Sequence, residues 1–289
     1  DGDELGRKVV ERLGARQGEL ERRRFPDGET WLRIGDQCKG LECVIFADLD
    51  DPDVHSLPVL FLAEALRSHG AARVGLVAPY LPYMRQDREF SSGEVVTSRY
   101  YADLLSAHVD WLATVDPHLH RHDSLDGLYS IPTTIAHAAG AIAGWLDGLD
   151  DELVIVGPDA ESKQWVEAVA DHAESPYLIL EKERLGDRDV ELTAEGLTGY
   201  SDHRPIVLDD IISTGSTMLE TVSRLSAAGY RAPICVGIHA VFADDAMGLL
   251  LDAGAQRVVT CNTISHPTNA IDVSQPLAEA IRKTLDTNG

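Results

Sequence analysis

The chain has 289 residues, of which 44% are hydrophobic, and 48 acidic against 25 basic side chains give it a formal net charge of −23. That length is enough for two domains of ordinary size. A surface this negative repels phosphate backbones, which argues against nucleic acid as a partner, and no apolar run approaches the ~18 residues of a membrane helix.

The N-terminal stretch Asp1–Gly18 is charged and carries no signal-peptide pattern. Cys38, Cys43, Cys235 and Cys261 form no CxxC pair and lie mostly in apolar runs, so reduced thiols in a cytoplasmic protein are expected. In chain order, short β-branched runs alternate with amphipathic stretches. Strand Cys43–Ala47 precedes helix Leu57–His69, and strand Val74–Ala78 precedes helix Thr97–Ala107. Strand Leu112–Val115 is followed by a predicted helix over Thr133–Trp145, and strand Leu153–Val156 by helix Ser162–His172. Ile206–Leu208, Ile234–Gly237 and Val258–Cys261 complete the strands, with helices predicted over Thr217–Ala228 and Asp244–Ala253. Such an alternation of nearly continuous apolar strands with helices predicts an α/β fold built on parallel sheets. The acidic, glycine-containing stretch Gly140–Asp151 is read as a seam, which divides the chain into residues 1–146 and 147–289. Neither GxxxxGK[ST] nor GxGxxG after a strand occurs, so a nucleotide must be held by another route.

The most informative segment runs from Ile206 to Thr217, IVLDDIISTGST. An apolar strand ends in two acids, and a turn of small residues leads into a helix. Backbone N–H groups of such a turn, the helix N-terminus and the hydroxyls of Ser213, Thr214, Ser216 and Thr217 can cradle phosphate, while Gly215 lets it approach the backbone. Asp209 and Asp210 suit sugar hydroxyls. Capping by a Ser or Thr would account for the turn but not for the paired acids. This stretch resembles the ribose-phosphate loop shared by type I phosphoribosyltransferases and phosphoribosyl diphosphate synthetases, and it does not by itself separate them.

The N-terminal half does. Pro79 to Arg88, PYLPYMRQDR, is followed by Gly93 to Ser98, GEVVTS, and preceded by Arg24 to Glu29, RFPDGE. Arg85 and Arg88 supply charge for a triphosphate, Gln86 can hydrogen-bond a base or ribose, and Phe25 offers a stacking face. Val115 to His118 reads VDPH, Gly157 to Asp159 reads GPD, and Glu181 to Arg184 reads EKER. His120 and His122 have no partner pair at zinc-finger spacing. In this order, and over nearly the whole chain, the segments resemble those of the ribose-phosphate diphosphokinase family, with an archaeal-type catalytic loop.

The resemblance implies two similar phosphoribosyltransferase-like domains, each with a mainly parallel sheet flanked by helices, and an active site between them. It implies ATP binding by Phe25, Asp27, Glu29, Arg85, Gln86, Arg88 and His118, the first three donated by a second subunit of a dimer or a multiple of dimers. His118 and Asp159 would place Mg²⁺. Asp209, Asp210, Ser213, Thr214, Gly215, Ser216 and Thr217 would hold ribose 5-phosphate, and Lys182 and Arg184, on a lid, would act in catalysis. The implied reaction moves the β,γ-diphosphoryl group of ATP to O1 of ribose 5-phosphate. Two departures stand out. Ala160, Glu161 and Ser162 follow Asp159 where the family has one or two glycines, and Ser216 stands where a glycine is common. Ser162 is expected to cap the following helix, with Glu161 pointing outward. The altered loop keeps a catalytically silent regulatory subunit open as an alternative. A base phosphoribosyltransferase is a weaker one, since it has no use for the Arg85–Arg88 segment.

Overall fold

The computed structural model describes residues 4–119, 124–180, 184–185, 188–189 and 198–287. Contacts divide the chain into two compact units, residues 1–137 with 274–289 and residues 138–273.

The first unit opens with α1 (Glu4–Leu13) and an antiparallel hairpin of β1 (Leu20–Arg24) and β2 (Thr30–Ile34). It continues with β3 (Glu42–Phe46), α2 (Pro52–Ser68), β4 (Arg73–Val77), α3 (Thr97–Ser106), β5 (Trp111–Val115) and β6 (Thr133–Ala136). Strands β3, β4, β5 and β6 lie in that order, all parallel. Every side chain of β5 is buried, as expected of a parallel strand covered on both faces. Leu49, Leu76, Leu105 and Leu112 fill the core, together with Leu81 and Met84 from the segment after β4.

The second unit holds α4 (Ala139–Leu146), β7 (Leu153–Gly157), α5 (Lys163–His172), β8 (Tyr177–Ile179) and the two-residue strands β9 (Arg184–Leu185) and β10 (Arg188–Asp189). Then come β11 (Arg204–Ile212), α6 (Ser216–Ala227), β12 (Ile234–Ala240), α7 (Ala246–Asp252), β13 (Arg257–Cys261) and β14 (Asn269–Ile271). Its six-stranded sheet runs β14-β13-β12-β11-β7-β8 and is parallel throughout, whereas β9 and β10 pair antiparallel. Val154, Val207, Cys235, Met218, Val222 and Leu225 form its core. A last helix, α8 (Ser274–Thr287), packs on α1, β5 and β6 of the first unit. Arg12 Nε donates to Ser274 Oγ at 2.9 Å, and the hydroxyls of Thr134 and Thr284 meet at 2.6 Å.

Two expectations differ from this layout. The helix predicted over Thr133–Trp145 is strand β6 followed by helix α4, because β-branched Thr133, Thr134 and Ile135 continue the parallel sheet beside β5. The division expected after residue 146 falls instead between His137 and Ala138. Helix α4 packs against α5 and β14, while the C-terminal helix returns to the first unit. All four cysteines are free thiols, and Cys43 is the one not fully buried.

Candidate active site

Strand β11 brings Asp209 and Asp210 to the C-terminal end of the second sheet, where its parallel neighbours β7 and β12 also end. Asp210 is 3% exposed. Asp209 Oδ1 accepts the Asp210 backbone N–H at 3.0 Å. Burial pushes the Asp209 carboxyl well above the usual carboxylate range, and the neighbouring charges of Asp210 and Asp159 push it further. After β11 the chain turns through Ser213, Thr214 and Gly215. Gly215 has a left-handed φ of +70°, a conformation that L side chains rarely adopt, and it stands as N-cap of α6 without a side-chain capping bond. Thr214 and Ser216 are exposed, Ser213 and Thr217 half-buried. Thr217 lends its carbonyl to Thr221 Oγ1 at 3.0 Å, and Thr214 Oγ1 donates to Ser216 Oγ at 3.4 Å. All seven residues assigned to ribose 5-phosphate thus lie on one strand end, the turn after it and the first turn of the following helix. The turn presents amides without a side-chain cap, and hydroxyls, that can donate to an anion.

Gly157 ends β7 beside this loop. A Cβ there would lie 2.5 Å from Ser162 Oγ and 2.7 Å from Ile179 Cδ1, so the close approach requires glycine. Asp159 Oδ1 accepts the backbone N–H groups of Glu161 and Ser162 at 3.0 and 3.1 Å. Ser162 Oγ donates back to the Asp159 carbonyl at 2.7 Å. The helix-starting turn is therefore capped by Asp159, not by Ser162 as the sequence suggests: fully buried Ser162 is already in helical conformation and its hydroxyl points back along the chain. Glu161 is exposed, in keeping with an outward carboxylate.

In the first unit, residues 79–88 leave the end of β4. Tyr80, Leu81 and Met84 are buried anchors, and Arg85 and Arg88 are exposed. Tyr83 adopts a left-handed φ of +63°, packs its ring at a tilt against Tyr101 with centroids 4.7 Å apart and donates its hydroxyl to Asp53. Burial first, then the Asp53 carboxylate, push its phenol up to about 12. Gln86 Oε1 accepts from Thr97 Oγ1 at 3.3 Å and its carbonyl accepts the Ser98 N–H, which ties the segment to the start of α3. Arg88 lies 4.9 Å from the centre of the Phe90 ring. Glu94 closes the following loop by accepting the N–H groups of Phe90 and Ser91. At the end of β5, Asp116 accepts from His137 Nδ1 at 2.8 Å, and His118 is half-buried two residues on.

Phe25, Asp27 and Glu29 form the tip of the β1–β2 hairpin. Phe25 N–H donates to the Glu29 carbonyl at 2.8 Å, Asp27 accepts the Glu29 N–H, and Gly28 takes a φ of +95°. Phe25 is 42% exposed, and the Arg23 guanidinium lies over Trp31 at 4.3 Å and near Phe25 at 5.5 Å. Lys182, His120 and His122 lie outside the described residues. Of Arg184 only the backbone, in β9, is described. The sequence reading singles out neither Asp53 nor His137. Asp53 shows no motif, and His137 follows a Thr-Thr-Ile-Ala run whose strand character was the available signal.

Residues 1–108 match the N-terminal domain of ribose phosphate pyrophosphokinase, and residues 124–276 match the phosphoribosyl transferase domain. The ribose-phosphate pyrophosphokinase of Methanopyrus kandleri is 32% identical over 97% of this chain and 96% of its own length. The chain belongs to the ribose-phosphate pyrophosphokinase family. Its similarity to the family extends to the Methanobrevibacter smithii enzyme, 30% identical over 96% of this chain and 97% of that one. The phosphoribosylpyrophosphate synthetase structure from Mycobacterium smegmatis superposes with a TM-score of 0.84 at 26% identity, covering 99% of this chain and 96% of that chain.

Mg²⁺, which the family implies, fits the donor chemistry at Asp159. The charges of Asp210 and Asp159 raise the Asp209 carboxyl, a repulsion that a cation would relieve. Among the described residues no group of three His, Cys, Asp or Glu side chains forms a ready-made metal cage.

Proposed function

We propose that this chain transfers the β,γ-diphosphoryl group of ATP to O1 of ribose 5-phosphate, giving phosphoribosyl diphosphate and AMP. One observation carries the reading: a chain matching this family over nearly its full length presents the acid pair Asp209–Asp210 near the end of β11, one short turn before a helix start that has a left-handed Gly215 and no side-chain cap. In this reading, the amides and hydroxyls of Ser213 to Thr217 hold the 5-phosphate. Asp209 and Asp210 accept hydrogen bonds from the ribose hydroxyls and orient O1 for attack. Arg85 and Arg88 bind the triphosphate, Gln86 the nucleoside, and Phe25, Asp27 and Glu29 close on the base from a second copy of the chain. Lys182 and Arg184 stabilise charge on the transferring group. Asp159 and His118 would each offer a donor to Mg²⁺, which would supply neutralisation of phosphate charge when bound. Transfer of this kind rests on alignment and charge stabilisation rather than on covalent catalysis.

ATP labelled at the β-phosphorus, incubated with ribose 5-phosphate, Mg²⁺ and the purified protein, is expected to pass its label to the sugar with one AMP released per turnover. Stoichiometric ADP would overturn the reading. No synthesis at all would favour the silent-subunit alternative, whose support is the loss of glycine after Asp159. Against that alternative, Glu161 is exposed and the acid pair is intact.

A further inference from the structure

We infer that His137 is a positioning residue for ATP use, acting through Asp116 on the turn that carries His118. The inference rests on the proposed role of His118 in binding ATP. Asp116 sits where β5 ends. Its side chain is only 6% exposed, and its φ of +30° is one that residues with a Cβ rarely adopt. Three bonds help to hold this turn. On one side the Asp116 N–H donates to the Ala136 carbonyl at 3.1 Å, fixing it to the end of β6. On the other, Val115 N–H reaches the carbonyl of Pro79 at 3.2 Å, and Pro79 opens the segment that carries Arg85, Gln86 and Arg88. The third is the 2.8 Å bond between Asp116 Oδ1 and His137 Nδ1.

The His137 side chain is 73% exposed. It contributes little to the core, yet it places one ring nitrogen on a nearly buried carboxylate. His137 keeps most of its ring in water yet gives Nδ1 to a nearly buried carboxylate. Its Nδ1–H orients the Asp116 carboxylate, and that carboxylate belongs to the residue whose left-handed backbone sets the direction in which the chain runs toward His118. Because the same turn is bonded to Pro79, a shift at Asp116 also reaches the start of the proposed ATP segment. The effect of losing His137 should therefore fall on ATP and not on the sugar phosphate, whose proposed ligands lie on β11 and α6.

The test uses the full chain and initial rates with each substrate varied in turn, alongside thermal melting. His137→Ala is expected to raise KM for ATP about tenfold, the scale of one lost hydrogen bond to a charged group. KM for ribose 5-phosphate should stay within about twofold and Tm nearly unchanged. His137→Asn puts an amide N–H close to the place of Nδ1–H and should recover most of the ATP affinity. An unchanged KM for ATP in His137→Ala, an equal rise for both substrates, or no recovery in His137→Asn would overturn the inference. His118→Ala, measured in parallel, separates the two levels. If it damages ATP use while His137→Ala does not, only the positioning role fails. If His118→Ala itself leaves ATP use intact, the ATP-site reading beneath the inference fails.

Discussion

Asp209 is a carboxyl that folding alone disfavours. Burial and the charges of Asp210 and Asp159 raise its pKa, so the folded state binds its proton more tightly than the unfolded chain does. For an acid shifted upward, the favourable contribution is present at low pH and is lost as pH rises through the raised folded value. At pH 7 the group therefore costs stability. Asp209→Asn keeps the shape and the acceptor for the Asp210 N–H. It is expected to raise Tm at pH 7 by about 2–4 °C, the equivalent of roughly 1 kcal/mol in a unit of this size, with a smaller gain near pH 4. The same variant should lose ribose 5-phosphate use while ATP binding persists. A fall in Tm would mean that the carboxylate serves the fold instead of the sugar. The thiols illustrate the opposite case, burial without function. Cys235 is pushed up to about 12 by burial, and Cys38 and Cys261 are enclosed with it. An alkylating reagent at pH 8 should label Cys43 slowly and the other three only after unfolding, as peptide mass analysis would reveal. Rapid labelling of any buried thiol in the native protein would contradict this packing.

The elements were readable in the sequence where one physical signal acted alone. Strands such as β5, β7 and β12 are nearly continuous apolar runs because a parallel strand is buried on both faces, and their positions emerge within a residue or a few. The ribose-phosphate loop was equally plain, since no purely structural rule places two acids before a small-residue turn. Reading failed where signals overlapped. Thr133–Ala136 lies directly before an Ala-rich helix, so strand and helix merged into one predicted helix. The hairpin tip Pro26-Asp27-Gly28 is clear turn chemistry, yet β1 is exposed along its length and shows no apolar pattern. Residues 79–88 were legible only as a resemblance, because their buried anchors and exposed arginines follow neither strand nor helix periodicity. The loop after β7 needed coordinates: its cap is Asp159, and Ser162 is a fully buried strut between that turn and Gly157. Ser162→Gly should therefore lower stability by about 1–2 kcal/mol, through the lost hydrogen bond and the added backbone freedom. Glu161→Gly should cost less than about half as much, because an exposed acid near a helix start contributes only weakly. Denaturant titration of both variants checks the order, and a larger loss at Glu161 would show that its carboxylate is tied into the fold.

At the scale of the molecule the charge of −23 opposes the chemistry proposed for it, since ATP and ribose 5-phosphate are both anions. Two electrostatic fields compete for an approaching substrate. Arg85, Arg88 and the amides of the Ser213–Thr217 turn attract at short range, while the surplus of acidic side chains repels at long range. The Debye length decides which one the substrate feels, being ~30 Å at 0.01 M salt and ~8 Å at 0.15 M. At low salt the whole acidic surface contributes, so approach is slowed. At moderate salt only nearby groups count, and for ATP these include the proposed ligands Arg85 and Arg88. The second-order constant kcat/KM for ATP should therefore rise several-fold between about 10 and 150 mM KCl and then level off. Tm should climb over the same range and beyond it, because screening also relieves repulsion within the folded chain. Varying KCl at fixed free Mg²⁺, with sorbitol at matched osmolality as a control, isolates the charge effect. A kcat/KM that falls steadily from the lowest salt would mean that local cations dominate at every distance and that the acidic surface is too far from the site to matter.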